Sequence, residues 1–424
     1  MRKSSIQAIV VGASITTAAP VSAHAETLTL AGALARARGE QPSLRVARAQ
    51  VEQSAAQIDQ IDATAKPTVA VGVGVDAQAT RPPDLFDVSS SAGVDVTGHL
   101  NLWDFGQRKL RRRAALASLE AIEWSARGRT RDVERQVAEA YWSALAREQL
   151  VGIAQATVAA EERHFDEAQR FVAADARASI DLAQVRSTLA QARLALVTAE
   201  NEYAAARVAL EQAMGVVLER GWDLADAWPA AITGEDGALD ALVARVEQSS
   251  DELAAAKARQ RAAEATVTVD AAAWRPALDA TARAQASTPG FTDLTTGWSA
   301  GVTLSWSLWD GGARRATLRG SRAAREAARA EVEELQLRLR GDVENARVAV
   351  RGAKARQVAA AEVLAAAAEE LRLAEARYTA GAGSTIEVAD AQDRVTSAST
   401  EQVQAQLALA RARTTLSRLL ATSR

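Results

Sequence analysis

The chain has 424 residues, only 4% of them are aromatic, and alanine and arginine dominate the composition. This composition is typical of long, closely packed helices rather than of one large globular core. The formal net charge of −3 gives no bulk basic signal for nucleic acid, and the absence of cysteine excludes disulfides, thiolate chemistry, cysteine metal sites and a lipid-modified N-terminal cysteine.

Residues 1–25 have the pattern of a secretory signal peptide. A positively charged start precedes a mainly apolar run from Ile6 to Ala19, and Ala23-His24-Ala25 forms a small-x-small cleavage site. We therefore predict an exported protein whose mature chain begins at Glu26. No later segment offers the roughly twenty apolar residues that a membrane-spanning helix needs.

The first structural repeat is predicted to span residues 26–216. Two helices lead to Lys66-Pro67, where the residue before proline leaves the helical region. Strict alternation of apolar and small polar residues then predicts two strands, and a long helical period follows. The predicted elements are strands at about 67–79 and 92–103, a long helix at 106–171 and a return helix at 180–214. At about 1.5 Å per residue the long helix would extend roughly 100 Å, which indicates a coiled coil or a helical tube.

The plan restarts after an irregular equatorial linker at residues 217–238. Two helices again precede an Arg275-Pro276 break, which matches Lys66-Pro67. The second structural repeat is predicted to span residues 239–424. Its elements are strands at about 276–285 and 297–309, a long helix at 312–378 and a return helix at 384–420.

The two halves match each other in register. Leu102-Trp103-Asp104 matches Leu308-Trp309-Asp310, and Ile180-Asp181-Leu182 matches Ile386-Glu387-Val388, both at an offset of 206 residues. Chance similarity between alanine-rich helices rarely keeps one offset across strands, turns and helices. Each half is therefore predicted to be one structural unit of a duplicated chain.

Each half supplies two predicted strands with an apolar face and a small-polar face. Lipid cannot satisfy the backbone groups of an open strand edge, so four such strands in a membrane need closure by other copies. A cyclic trimer gives twelve strands, an even number that closes, and a dimer or a hexamer also fits the count. The alternation is typical of an outer-membrane barrel with a polar lumen, and the edge of a soluble β-sandwich is the alternative.

Two copies of one motif and a turn, in a duplicated order that covers essentially all of the mature chain, carry a family resemblance. They are Leu102-Trp103-Asp104-Phe105-Gly106, Leu308-Trp309-Asp310-Gly311-Gly312, and the turn Tyr378-x-x-Gly381 followed by Thr385-Ile386-Glu387-Val388-x-Asp390-Ala391. On these motifs the sequence resembles the TolC-like outer-membrane efflux protein family. It departs from the pattern at Phe105, at the glycine-free first-half turn Ala173–Arg177, and in ending at Arg424 without a C-terminal extension.

The resemblance implies a mixed, mainly α fold. Three copies would form a transmembrane antiparallel β-barrel of twelve strands, four from each chain, on a long periplasmic α-helical barrel. The implied function is a trimeric outer-membrane channel that serves as the exit duct of a tripartite efflux pump or a type I secretion system. The implied partners are a periplasmic adaptor, an inner-membrane transporter and outer-membrane lipid. The alternative is a soluble periplasmic coiled-coil adaptor or scaffold protein, although an adaptor should have one helical hairpin rather than two.

Acidic residues at the start of the last helix are candidates for a periplasmic gate. Glu387 and Asp390 lie three residues apart on one helix face, and a trimer would bring six such carboxylates into a ring. The resemblance places gate residues at these two positions, and Asp181 is the first-half counterpart of Glu387. The alternative role is to stabilise the positive end of a helix dipole.

Glycines shape the predicted tip and the strand-to-helix junctions. Gly381 and Gly383 are expected to supply positive-φ backbone for a tight turn, and with Ser384 and Thr385 they form a candidate docking tip for an adaptor. The predicted junction residues are Trp103, Asp104, Gly106, Trp309, Asp310, Gly311 and Gly312. We expect no enzyme, cofactor or metal site, because the histidines are scattered and no catalytic grouping stands out.

Overall fold

A computed structural model describes residues 26–80, 87–174, 178–217, 222–225, 227–289 and 293–420. The predicted signal peptide, turn residues 175–177 and parts of both strand-to-strand loops lie outside the described residues. Among the residues that are described, no helix combines the length and the hydropathy that crossing a bilayer requires.

The described residues form eight helices and six strands. The first half contains β1 (Glu26–Leu28), α1 (Leu30–Glu40), α2 (Pro42–Ala63), β2 (Thr68–Thr80), β3 (Asp87–Trp103), α3 (Gln107–Ala173) and α4 (Ser179–Met214). After β4 (Trp222–Leu224), the second half contains α5 (Leu239–Ser249), α6 (Asp251–Ala272), β5 (Ala277–Pro289), β6 (Thr295–Ser305), α7 (Ala313–Thr379) and α8 (Thr385–Leu419).

The duplication extends to the lengths of the elements. α1 and α5 each have 11 residues, α2 and α6 each have 22, and α3 and α7 each have 67. Corresponding elements of the two halves begin 209 residues apart from α1 and α5 to β2 and β5. From α3 and α7 onward they begin 206 residues apart. The halves therefore differ by three residues in the region of the loop that joins the two strands of each hairpin.

Four strands form one antiparallel sheet in the order β2-β3-β5-β6. Cross-strand partners share a face, so the register gathers the apolar residues on one side. That side carries Val69, Val71, Val73, Val75, Val94, Val96, Ala280, Ala282, Ala284, Trp298, Ala300, Val302 and Leu304. Its large side chains are exposed, and the outer edges of β2 and β6 have no strand partner among the described residues.

The strands differ from the sequence prediction at their ends. β3 begins at Asp87 instead of about 92, because its first residues pair with the end of β2. β5 runs to Pro289 instead of 285, because its last residues pair with β3. β6 spans Thr295–Ser305 instead of 297–309. Ser305 pairs with the first residue of β5, and Pro276 before it has no N–H to continue the ladder.

The helices form two long antiparallel hairpins, α3 with α4 and α7 with α8. α3 also packs against α6 and α8, so it joins the first half to the second. The core of the first hairpin includes Val137, Tyr141 and Leu145, and that of the second includes Val343 and Leu416. α4 packs mainly against α3, and its opposite side remains exposed.

A short parallel pair of strands, absent from the sequence prediction, lies where the linker meets the N-terminal residues. β1 pairs with β4, and the Tyr141 hydroxyl lies 3.0 Å from the Leu28 carbonyl oxygen and 3.1 Å from that of Ala225. The linker is thus tied to both β1 and α3. Pairs of three-residue strands far apart in the sequence leave too little alternation for a pattern to predict.

A buried carboxylate fixes the other end of the linker. Glu235 is 5% exposed and accepts two hydrogen bonds of 3.1 Å from Arg413, while the Lys354 Nζ lies 2.7 Å from its Oε1. The Ile232 amide donates a further hydrogen bond of 3.0 Å. Burial by itself would raise the pKa of Glu235, but the hydrogen bonds from Arg413, Lys354 and Ile232 outweigh it and lower the pKa to about 2.

We predict that Glu235→Gln lowers the free energy of unfolding by about 3 kcal/mol, because two cations lose their buried partner. The folded-state pKa lies below the ordinary value of 4.5, so the carboxylate stabilises the fold above about pH 4.5 and this contribution of about 3 kcal/mol is lost as the pH falls towards 2. Urea denaturation followed by circular dichroism between pH 7 and pH 2 measures both effects.

Asp236→Asn is the matched control. Asp236 also binds Lys354, at 2.8 Å, but its side chain is exposed, so its loss should cost less than about 1 kcal/mol. Equal losses in the two variants would contradict a dominant role of Glu235.

Candidate functional site

The two strand-to-helix junctions are built in the same way. The Asp104 carboxylate accepts hydrogen bonds from the amides of Gly106 (3.0 Å) and Arg108 (2.5 Å). Asp310 accepts the matching bonds from Gly312 and Arg314, both 3.0 Å. Each aspartate thus satisfies amides at the start of a 67-residue helix that would otherwise have no acceptor.

Two consecutive left-handed residues turn the chain at each junction. Phe105 and Gly106 have φ of 51° and 85°, and Gly311 and Gly312 have φ of 65° and 92°. Among the residues that the structure describes, Phe105 is the one non-glycine residue with a positive φ. Its carbonyl accepts a hydrogen bond of 2.8 Å from Arg275 in the second half, which holds this turn from outside the first repeat.

The electrostatics of the second junction favour the ionised carboxylate. Hydrogen bonding from the Arg314 amide is the main cause that lowers the pKa of Asp310, and the Gly312 amide and the Arg314 guanidinium act in the same direction. The Arg314 guanidinium also donates to the Ser307 carbonyl at 2.7 Å and lies over the Trp274 ring at 5.4 Å. Asp310 and Arg314 therefore tie the helix start to the segment that leaves β6.

The predicted tip forms a tight turn between α7 and α8. Gly381 has φ of 74°, and the amides of Ala382 and Gly383 both donate to the Arg377 carbonyl, at 2.9 and 3.0 Å. The prediction of a positive φ is wrong for Gly383. A Cβ there would lie 3.0 Å from the Tyr378 backbone nitrogen, so close approach of the backbone, rather than φ, requires glycine.

Ser384 and Thr385 begin α8 in different environments. Ser384 is the N-cap, and its hydroxyl accepts a hydrogen bond of 3.2 Å from the Glu387 amide. The Thr385 hydroxyl is buried and has no hydrogen-bond partner in the described chain. Ser384 therefore has a structural role at the turn, whatever else contacts the tip.

Of the predicted gate acids near the tips, Glu387 and Asp390 are exposed and Asp181 is half-buried. Glu387 lies 3.7 Å from the Arg377 guanidinium, and Asp390 is exposed one turn further along α8. Asp181 lies in the first turn of α4, the matching place in the first hairpin. The single chain thus places Glu387 and Asp390 together on one helix and Asp181 on the other hairpin.

Sequence reasoning missed a small cavity of about 20 Å³ between the two hairpin tips. Its lining includes the buried Glu161, which accepts a hydrogen bond of 2.9 Å from Thr188, together with His164 and Tyr378. The Tyr378 ring meets Phe171 edge-to-face at 5.9 Å. An acidic residue within a helical period carries no signal of burial, so only the packing shows that Glu161 is buried.

Within the described ranges, no three His, Asp or Glu side chains come together as ligands for a metal ion. Each of the duplicated halves contains one capped strand-to-helix junction and one helical hairpin.

Two comparisons of sequence bear on the family. The family model described as outer membrane efflux protein matches residues 33–216 and 242–422, one segment for each repeat. A search against curated proteins finds no match. The chain belongs to the outer membrane efflux protein family. The predicted family is therefore confirmed.

Solved structures of outer-membrane channels share the fold. The Campylobacter jejuni CmeC channel is 14% identical with a TM-score of 0.79, over 92% of this chain and 85% of that one. The open-state Neisseria gonorrhoeae MtrE channel is 21% identical with a TM-score of 0.73, over 92% and 88%. A membrane protein from Pseudomonas aeruginosa is 24% identical with a TM-score of 0.77, over 92% and 93%. These likenesses confirm the predicted fold class.

We predict that Asp104→Ala costs about 1 kcal/mol of stability, because the first amides of α3 lose their acceptor. Asp310→Ala should lower the thermal midpoint in the same direction at α7. Asn at either position keeps an acceptor and should restore most of the midpoint. Differential scanning calorimetry of the purified protein measures this, and an unchanged midpoint in both alanine variants would contradict the capping role.

Proposed function

We propose that three copies of this chain form a channel across the outer membrane that serves as the exit duct of a tripartite efflux pump or a type I secretion system. The observation that carries the proposal is the four-stranded sheet, which has one exposed apolar face and whose two outer edges are unpaired within the described ranges. Lipid can cover the face, but only further strands can satisfy the edges. Family membership agrees with this function.

The sheet supplies the two surfaces that a barrel wall needs. Its apolar face would contact outer-membrane lipid, and the exposed Trp103, Trp306 and Trp309 would lie at the membrane boundary next to the helices. The opposite face carries polar pairs, such as Asn101 donating to Asp279 at 2.9 Å, which suit a water-filled lumen.

The helical hairpins would continue the barrel into the periplasm. Their tips would meet a periplasmic adaptor through Gly381, Gly383, Ser384 and Thr385, and an inner-membrane transporter would supply the energy. The soluble adaptor or scaffold alternative is not favoured, because the chain contains two hairpins and a sheet that is open at both edges. Efflux of small molecules and secretion of proteins use the same duct, and the partners select the substrate.

The proposal is tested by planar-bilayer conductance of the detergent-purified mature protein, with its mass determined by light scattering. We expect trimers that give small, cation-selective channels. A water-soluble monomer or dimer without channel activity would overturn the channel and favour a periplasmic scaffold.

The acidic tip residues are proposed to narrow the periplasmic mouth and to favour cations. Glu387→Gln with Asp390→Asn should raise single-channel conductance and reduce cation selectivity, because a ring of up to six charges is removed. Asp342→Asn, an exposed charge far along α7, is the control and should leave conductance unchanged. Unchanged conductance and selectivity in the double variant would leave Glu387 and Asp390 with the role of favouring the helix dipole.

A further inference from the structure

The first turns of the two 67-residue helices carry cations without acids. In α3 five cations precede the first acidic residue, Glu120, and they are Arg108, Lys109, Arg111, Arg112 and Arg113. In α7 five cations precede the first acidic residue, Glu326, and they are Arg314, Arg315, Arg319, Arg322 and Arg325. The same concentration of positive charge therefore follows the strand-to-helix junction in both repeats.

These charges lie at the end of a helix where they are least favourable. The N-terminal end carries a positive partial charge, so acidic side chains stabilise it and cations do not. The helices α4, α5, α6 and α8 each have an acidic residue in the first turn, whereas α3 and α7 have none. A local preference that is broken at the same place in both repeats is typical of a surface that serves a function.

Most of these cations are not neutralised within the chain. In the described ranges, three of the ten form ion pairs with carboxylates, namely Arg112, Arg314 and Arg325. Five others are exposed and have no carboxylate within ion-pair distance among the residues that the structure describes, namely Lys109, Arg113, Arg315, Arg319 and Arg322. We refer to these five side chains as the cationic band.

The cationic band follows one side of each helix. Lys109 and Arg113 lie four residues apart, and Arg315 and Arg319 occupy the matching positions 206 residues later. Arg322 extends the row on α7 by a further turn. The duplication has therefore kept the spacing of these charges as well as their sign.

This side of α7 is not the side that packs against α6. The half-buried row Arg314, Leu318, Ser321 and Arg325 leads along α7 to the buried Val332 and Leu335. Each residue turns a helix by about 100°, so Arg315, Arg319 and Arg322 are rotated by that angle from the half-buried row. Their guanidinium groups are thus available to a ligand outside the chain.

The band lies just beyond the proposed membrane boundary. The exposed Trp103, Trp306 and Trp309 mark this boundary before the helices begin. At about 1.5 Å per residue, the band extends from about 3 to about 14 Å beyond the first residues of α3 and α7. The polar layer on each side of a bilayer core is about 5–8 Å thick, and long basic side chains can reach back towards it.

We infer that the cationic band binds the phosphate groups of anionic phospholipids in the membrane leaflet next to the helices. This inference rests on the proposed channel and adds the class of lipid that the channel selects. Four of the five side chains are arginines, whose paired N–H donors match the oxygens of a phosphate. A zwitterionic headgroup carries a cation of its own, so a cluster of basic residues beside a membrane favours lipids with net negative charge.

Continuity with the apolar surface favours lipid over another anionic ligand. Trp298, Val302 and Leu304 lie on the apolar face of β6, the junction with Trp309 follows, and Arg315 comes directly after it. The band is also remote from the proposed adaptor site, because Arg322 lies about 85 Å along α7 from the end of this helix at Thr379. A partner bound at the tip would leave the band uncovered.

The test compares the binding of fluorescent phosphatidylglycerol, which is anionic, and fluorescent phosphatidylcholine, which is zwitterionic, to the purified trimer in a neutral detergent. We expect phosphatidylglycerol to bind at least about fivefold more tightly, the factor that one basic side chain contributes near an anionic surface. Raising the salt concentration from about 0.1 M to about 1 M should reduce this preference, because exposed charges are screened.

The band variant combines Lys109→Gln, Arg113→Gln, Arg315→Gln, Arg319→Gln and Arg322→Gln. Its preference for phosphatidylglycerol should fall at least about fivefold. Lysine in place of the four arginines keeps the charge and should retain most of the preference. The matched control removes five exposed arginines elsewhere on the helices, through Arg163→Gln, Arg170→Gln, Arg186→Gln, Arg351→Gln and Arg411→Gln, and should bind both lipids as the unmodified protein does.

The outcomes separate the lipid site from the channel. Trimeric, conducting protein without a preference for phosphatidylglycerol, or with an equal preference in the band variant, overturns the lipid site and leaves the channel intact. A band variant with altered ion selectivity and unchanged lipid binding also overturns it, because the cations would then line the lumen. Monomers without channel activity overturn the lipid site and the proposed function together. The salt dependence of the unmodified protein tests the electrostatic basis without any substitution, and a preference that salt leaves unchanged contradicts the inference.

Discussion

The backbone groups along the two open edges of the sheet are the constraint on which the rest of the structure depends. Each chain supplies four strands, and the outer edges of β2 and β6 have no partner within the described chain. An edge of this kind is costly in lipid, where no water can pair with it. In the proposed trimer, β6 of one copy and β2 of the next would satisfy these edges.

The duplication places one strand-to-helix junction in each half of the chain. Each repeat must change from a pleated strand to a helix of 67 residues within a few positions, and an aspartate with two left-handed residues makes this change twice. The capped helix start is fixed in direction relative to its strand. A barrel wall can therefore continue into a helical wall without a flexible segment between β3 and α3 or between β6 and α7.

Periodic features could be predicted from the sequence, and isolated ones could not. The long helices, the duplication and the alternating strands extend over many residues, so the sequence alone predicts them within a few positions. The end of β6 depended on its partner, because the ladder stops where β5 begins after Pro276. The burial of Glu235 and of Glu161 follows from contacts distant in sequence. Gly383 lies in the predicted turn, but the sequence could not show whether a positive φ or close approach of the backbone requires glycine there.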